Sequence, residues 1–466
     1  EDYTSRLRAD FGSYAYRGLS WQQKISNWDY AFTYNASDGF SANSPRNQES
    51  DGHEQWSAFA RTRQTYQDLS LTLSTRLQNL ETEIDNGNKP GDDDPNHFSK
   101  VFSTLSYMEA KYPFSKTWDS EFLTQHTYIR RKTQNPSDNI HPGVQANSRF
   151  YGQIIKAKWL NHVLLSDDRS LRAKLHFGVE SEYETGHSDL FDITFGSTSF
   201  PSEDQINHGV FTLLDLSQDK YFMVLGYRVD KSPDFDTQGN YSVGLGYFVT
   251  RLPVMSRIFA NASSGFKSPS LFQKYSDFGN KNLKPETSQS AQSGFEIKHE
   301  ETGLNFIADY FQNKFTDLID FNYATSKYGN LKEAETTGWE ATLSGKWTFV
   351  STKINYMHLK TEDDQNQPLL RRPKSKITLN VNSLITENQK LGSDVQFVGK
   401  RFDIDENSNR IELPSYIVAD LTWQYQIRKN LTLKAKLENI LNKTYAQIYG
   451  YSTAGRSLYT SVEIMF

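Results

Sequence analysis

A chain of 466 residues with a formal net charge of -5 is long enough for two or more soluble domains, and its mild acidity gives no support for nucleic acid as a partner. Hydrophobic residues make up only 36%, and no stretch approaches the run of about 18 apolar residues that a transmembrane helix needs. Cysteine is absent, which excludes thiolate chemistry. Aromatics nevertheless reach 14%, with 26 Tyr, 30 Phe and 8 Trp. Leu, Ile and Val alternate with polar residues instead of forming blocks. Strands with one lipid face and one wet face combine these properties, because the polar face keeps mean hydropathy low. No signal peptide precedes Glu1, so the N-terminus is expected to be processed or trimmed.

Taken in chain order, short turns are predicted near residues 25–29, 66–70, 113–118, 165–170, 216–220, 250–256, 299–303, 348–352, 386–392 and 427–431. Longer polar segments fall between them, near 12–18, 38–53, 85–99, 131–148, 184–208, 230–240, 264–290, 323–336, 360–373, 401–415 and 444–456. Ten short turns and eleven long loops, with both termini on the short-turn side, require twenty-two strands. Short periplasmic turns and long extracellular loops are the usual asymmetry of membrane barrels. The fold expected is therefore all-β: one 22-stranded antiparallel transmembrane barrel over residues 1–466, the size of plugged outer-membrane transporters.

Alternation is clearest near the C-terminus. Ile377, Leu379 and Val381 alternate with Thr378, Asn380 and Asn382. From Ile417 to Ile427 the odd positions are apolar, while Asp420, Thr422, Gln424 and Gln426 are polar. Arg428-Lys429-Asn430 then turns the chain into Leu431, Leu433, Ala435 and Leu437, which alternate with Thr432, Lys434, Lys436 and Glu438. This is a hairpin with a lipid face and a water face. A soluble sandwich also alternates, but rarely over so many long strands. The last strand places Leu458, Val462, Ile464 and Phe466 on one face. Its terminal aromatic resembles the signal read by the outer-membrane assembly machinery.

Two groups of motifs carry a family resemblance. Phe266-Lys267-Ser268-Pro269, followed by the run Gly279-Asn280-Lys281-Asn282-Leu283-Lys284-Pro285-Glu286, resembles a signature of TonB-dependent outer-membrane receptors. The run from Glu438 to Tyr445 (ENILNKTY) and the run from Tyr449 to Arg456 (YGYSTAGR) are similar to that family's C-terminal box. Together with Leu369-Leu370-Arg371-Arg372 and Asp317-Leu318-Ile319-Asp320, they look most like the family's cobalamin receptors. The likeness is good from about Arg257 to Phe466 and looser before about residue 250.

The resemblance implies uptake across the outer membrane of a Gram-negative bacterium, with lipid and lipopolysaccharide around the barrel and a small-molecule ligand at its mouth. A corrinoid is favoured over a siderophore. Haem is disfavoured, because residues 270–279 lack the His typical of haem receptors. The family folds an N-terminal plug inside the barrel, and nothing in these residues corresponds to it. TonB is thus expected as a partner only if a plug is supplied upstream or in trans. A passive pore or a structural barrel within an envelope assembly is the alternative.

For ligand contacts the resemblance points to Arg371 and Tyr451, with Tyr449, Tyr275 and Tyr328 extending an aromatic lining alongside Phe278 and Tyr323. An Arg fork binds amide or phosphate oxygens, and a Tyr offers an apolar ring with a polar tip. The tyrosines also suit an interfacial girdle equally well. Between Asp85 and Asn96, Asp92, Asp93 and Asp94 make the best metal candidate, with Asp138 in the next long loop. Clustered carboxylates suit Ca²⁺, a hard cation with six to eight oxygen ligands. Their spacing matches no defined calcium loop, so a solvated acidic turn is preferred. The ten His are scattered without a metal-ligand spacing such as HExxH, and no nucleophile, base and oxyanion groups converge in the sequence, so no enzyme activity is expected.

Overall fold

The structure, a computed structural model, describes residues 5–43, 49–85, 94–139, 141–168, 170–194 and 196–466. Among them, twenty-two strands form one continuous antiparallel sheet. It closes on itself where the first strand, Ser5–Gly12, pairs with the last, Ser457–Met465, from Arg6 opposite Met465 to Gly12 opposite Tyr459. Closure is what lipid demands: every backbone N–H and C=O in the hydrocarbon must be paired, and an open sheet would leave an unpaired edge.

The predicted turns fall between paired strands throughout. Ile25 and Trp28 bracket the first, Tyr66 and Leu69 the second, and Arg428 and Leu431 the last. Alternation sorts the side chains as the sequence requires. Leu7, Phe11, Leu458, Val462 and Ile464 are exposed on the outer face of the seam. Arg8 and Asp10, one residue out of phase, pair with each other at 2.6 Å on the inner face. The inner wall is laced with charges, including Arg228–Glu180 at 3.0 Å, Lys156–Glu182 at 2.6 Å and Arg257–Glu296 at 2.6 Å. Such pairs belong in water, since an unscreened charge facing lipid costs about 2–4 kcal/mol at mid-depth. Beside the short turns, Tyr66, Trp118 and Tyr221 face outward, as an interfacial girdle does.

Several long segments are more ordered than their polar sequences suggest; that near 323–336, for one, is strand from Lys327 onward, with Lys327 paired to Asn322. The region near 184–208 is mostly strand: Arg172–Asp192 and Gly196–Gln218 stay paired up to Asp192 opposite Gly196, with one bulge between Phe200 and Glu203. The region near 230–240 likewise tightens to the step from Ser232 to Phe235. Above the membrane neither face needs to be apolar, so alternation fades while the hydrogen-bond ladder continues. The region near 401–415 folds into its own hairpin, Arg401–Ile404 paired with Arg410–Leu413.

Candidate extracellular mouth and cation clusters

The segment after Lys267 is pinned across the mouth by local chemistry. Ser270 caps the short helix Leu271–Tyr275: its hydroxyl accepts from the Gln273 amide while the Gln273 side chain accepts from the Ser270 amide. This reciprocal box fixes where the helix starts. Lys274 is only 3% exposed and pairs with Asp234 at 2.7 Å. The Tyr275 hydroxyl donates to the same carboxylate at 3.1 Å. Burial and then the Asp234 charge push its phenol up to about 12. Tyr275 thus holds the helix down with its polar tip already engaged. Phe272 packs near Phe150, Phe200 and Tyr328, and the Tyr328 amide donates to Phe278 O at 3.0 Å. Tyr323 is 88% exposed.

The downstream run has a structural meaning too. The Asn330 side chain accepts from the Lys284 amide at 2.9 Å and donates to Asp317 O at 2.6 Å. Glu286 accepts from the Ile319 amide at 2.9 Å. In the C-terminal box, Asn439 and Asn442 adopt φ of 47° and 49°, the left-handed region that Asn tolerates best after Gly. Asn439 accepts from the Lys443 amide at 2.8 Å and donates to Ala454 O at 3.1 Å, and Asn442 accepts from the Arg456 amide at 2.9 Å. The two asparagines close the last long loop on itself.

Arg371 meets Tyr449 through a residue the sequence did not single out. Asp403, fully buried, accepts from Arg371 Nε at 2.8 Å through one oxygen and from the Tyr449 amide at 2.8 Å through the other. Burial opposes its charge, but the Tyr449 amide, the Arg371 guanidinium and the Ile404 amide outweigh it, so its carboxyl titrates below the usual range. Arg371 sits at φ 60°, a conformation costing a non-glycine residue about 1–2 kcal/mol. It is held there by its own amide, which donates to Phe402 O at 2.7 Å. Its side chain is 48% exposed, so the terminal nitrogens of the fork stay accessible. Arg401, also buried, clamps the other side of the hairpin onto Gln447 O at 3.2 Å and stacks over Tyr416 at 5.2 Å. Tyr451 forms a β-bridge with Asn43, and Ser452 donates to Ala42 O at 2.7 Å. Arg371, Tyr449 and Tyr451 are therefore drawn to one rim, whereas Tyr275 and Tyr328 belong to the pinned segment.

Of the metal candidates, Asp92 and Asp93 lie outside the described residues. Asp94 and Asp138 do converge, joined by His141, with their ligand atoms within 4.8 Å of one another. Asp94 is 1% exposed. One of its oxygens accepts from Asn135 at 2.8 Å; the other is buried without a hydrogen-bond donor among the described residues. Asp94 also ties to a second group, since its amide donates to Asp85 at 3.1 Å. Asp85, Glu49 and Asp51 place carboxylate oxygens within 4.8 Å of one another. A buried carboxylate oxygen lacking a donor, beside an all-oxygen triad, fits a hard cation. Pairing across three loops, rather than a local loop spacing, is why the sequence did not reveal Glu49, Asp51, Asp85 and His141 as a set.

Residues 92–440 match the family described as TonB dependent receptor-like, beta-barrel. The chain belongs to this TonB-dependent receptor family. Its place is the outer membrane of a Gram-negative bacterium. Among curated relatives, it is 27% identical over 369 residues to the vitamin B12 transporter BtuB of Vibrio cholerae serotype O1, a match covering 78% of this chain and 54% of the relative. The chain thus spans about half the length of the curated relatives it matches. The siderophore receptor PiuA from Acinetobacter baumannii shares the fold at TM-score 0.79 and 14% identity, over 100% of this chain and 82% of that one. The copper transporter OprC does so at TM-score 0.81 and 14% identity, over 100% and 80%. These two likenesses show the fold alone.

Proposed function

We propose that this TonB-dependent receptor barrel captures a corrinoid at its extracellular mouth for TonB-coupled uptake, with a siderophore as the competing ligand class. The observation that carries the reading is the Arg371–Asp403–Tyr449 junction. Asp403 fixes Arg371 through Nε alone, which leaves an oriented guanidinium edge for amide or phosphate oxygens. Tyr449 and Tyr451 offer flat apolar faces on the same rim, suited to a large planar ring. The relatedness to a vitamin B12 transporter supports a corrinoid over other ligands. Ca²⁺ held by Asp94 and Asp138, and by Glu49, Asp51 and Asp85, would order the neighbouring loops by neutralising their carboxylates; it supplies charge, not chemistry.

The test is equilibrium binding of cyanocobalamin to outer membranes carrying the chain. Arg371→Ala should weaken binding by about 10- to 100-fold, the loss expected for a hydrogen bond from a charged group. Arg371→Lys keeps the charge but not the fork, and should recover only part of it. Unchanged affinity in both variants would remove Arg371 from the ligand site.

A further inference from the structure

Two of the scattered histidines meet inside the barrel. His162 and His176 stand directly opposite each other on the strands Ala146–Asp167 and Arg172–Asp192. They flank the same short turn, which brings them together although they lie 14 positions apart in sequence. Their phase is that of Lys156, Lys158, Glu180 and Glu182, the charged inner wall, while Trp159 and Val179 are exposed on the opposite face. The rings lie 4.7 Å apart at 78°, and the two Nδ1 atoms point at each other within hydrogen-bonding contact. On its far side, His176 Nε2 meets an Asp215 oxygen at 3.1 Å.

We infer that His162 and His176 form a binding site for a borderline divalent cation of the Zn²⁺, Ni²⁺ or Cu²⁺ class, on the lumen wall near the periplasmic rim. Convergent imidazole nitrogens select such ions over Ca²⁺ or Mg²⁺. Asp215 supplies the second half of the arrangement: a metal-bound His characteristically donates its other N–H to a carboxylate, which fixes the tautomer and raises the basicity of the ligand nitrogen. Here that donation leaves His176 Nδ1 with a lone pair aimed at His162. Binding needs no proton to leave the pair, since His162 has only to carry its proton on Nε2 instead of Nδ1. A tetrahedral ion with Zn–N of about 2.0–2.1 Å holds two nitrogens roughly 3.3 Å apart, a separation that a small rotation of either ring provides. Water completes the shell, and Asp119, the cross-strand neighbour of His162, is placed to contribute an oxygen. Lys174 stands opposite Asp215 in the adjacent row. The ion would staple two neighbouring strands at their turn, independently of whatever ligand occupies the mouth.

The experiment titrates the folded chain in detergent micelles with Zn²⁺ by calorimetry and with Cu²⁺ by electron paramagnetic resonance. Wild type should bind an ion that excess Ca²⁺ does not displace, and its Cu²⁺ spectrum should show hyperfine splitting from two nitrogens. His162→Gln and His176→Gln should each abolish that binding. Asp215→Asn should weaken it by about 10- to 100-fold, and His141→Gln, in the separate acidic cluster, should leave it intact. Heat-modifiable mobility verifies that each variant is folded. Undiminished binding in both folded histidine variants would overturn the inference. So would a wild-type Cu²⁺ spectrum with oxygen ligands only, which needs no variant at all.

Discussion

Leu421 and Thr422 are neighbours in sequence on opposite faces of the wall, so placing the same charge at each isolates the membrane's contribution. Leu421 lies on the strand Tyr416–Arg428, opposite Leu437 and Ser393. It is seven residues from Arg428 at the short-turn end. At about 3.3 Å per residue and a tilt of roughly 40°, that places it about 18 Å above the turn. In an apolar band about 25 Å tall this is a few ångströms from the middle, where an outward Arg costs about 2–4 kcal/mol. Thr422 faces Gly392 and Lys436. An Arg there meets Lys436, but Lys436 already lies 2.6 Å from Glu438 and 3.9 Å from Asp420. Water and these carboxylates should hold the net cost to about 1 kcal/mol or less. Urea unfolding in phospholipid bilayers measures the two variants directly. Leu421→Arg should lose the larger amount and Thr422→Arg little. Equal losses would refute the assignment of a lipid face, and a reversed order would place the register one residue off.

Two further outcomes concern the loops. Asp403→Asn removes the charge that Arg371 and the Tyr449 amide share, so amide exchange around 369–373 and 447–451 should accelerate together. In the wild type the junction's stabilisation is present above the ordinary carboxylate pKa. It should be lost as pH falls through the depressed value of Asp403, so the same segments should loosen only below the usual carboxylate range; loosening near neutrality would contradict it. Chelation of Ca²⁺ should speed proteolysis of the segments carrying Asp94, Asp138 and Asp51, and Asp94→Asn should remove the calcium effect. A cleavage pattern indifferent to calcium would return both clusters to solvated turns.

The strands were legible because lipid imposes period-two alternation that no loop chemistry hides. Leu458, Val462 and Ile464 show the rule in its simplest form. Above the membrane that constraint lapses, so the paired extension to Asp192 and Gly196 reads as polar loop. The mouth was legible only in part. Arg371 and Tyr449 stand out by their motifs, but Asp403 joins them from 32 and 46 residues away in a hairpin with no marked pattern. Asp94 and Asp138 were visible as acids in adjacent loops, while Glu49, Asp51 and Asp85 needed the barrel to bring two loops together. His162 and His176 carried no such signal: they lie at unequal distances from the turn predicted near 165–170, and the register shift between Leu164 and Ser166 is what sets them opposite each other.

Corrinoid capture at the mouth can be decided by a single competition experiment on outer membranes carrying this chain. Labelled cyanocobalamin is displaced by unlabelled cyanocobalamin, a ferric catecholate, a ferric hydroxamate or haem. Saturable binding that only the corrinoid displaces is the expected result. Displacement by a ferric siderophore, with no saturable cobalamin binding, would contradict it.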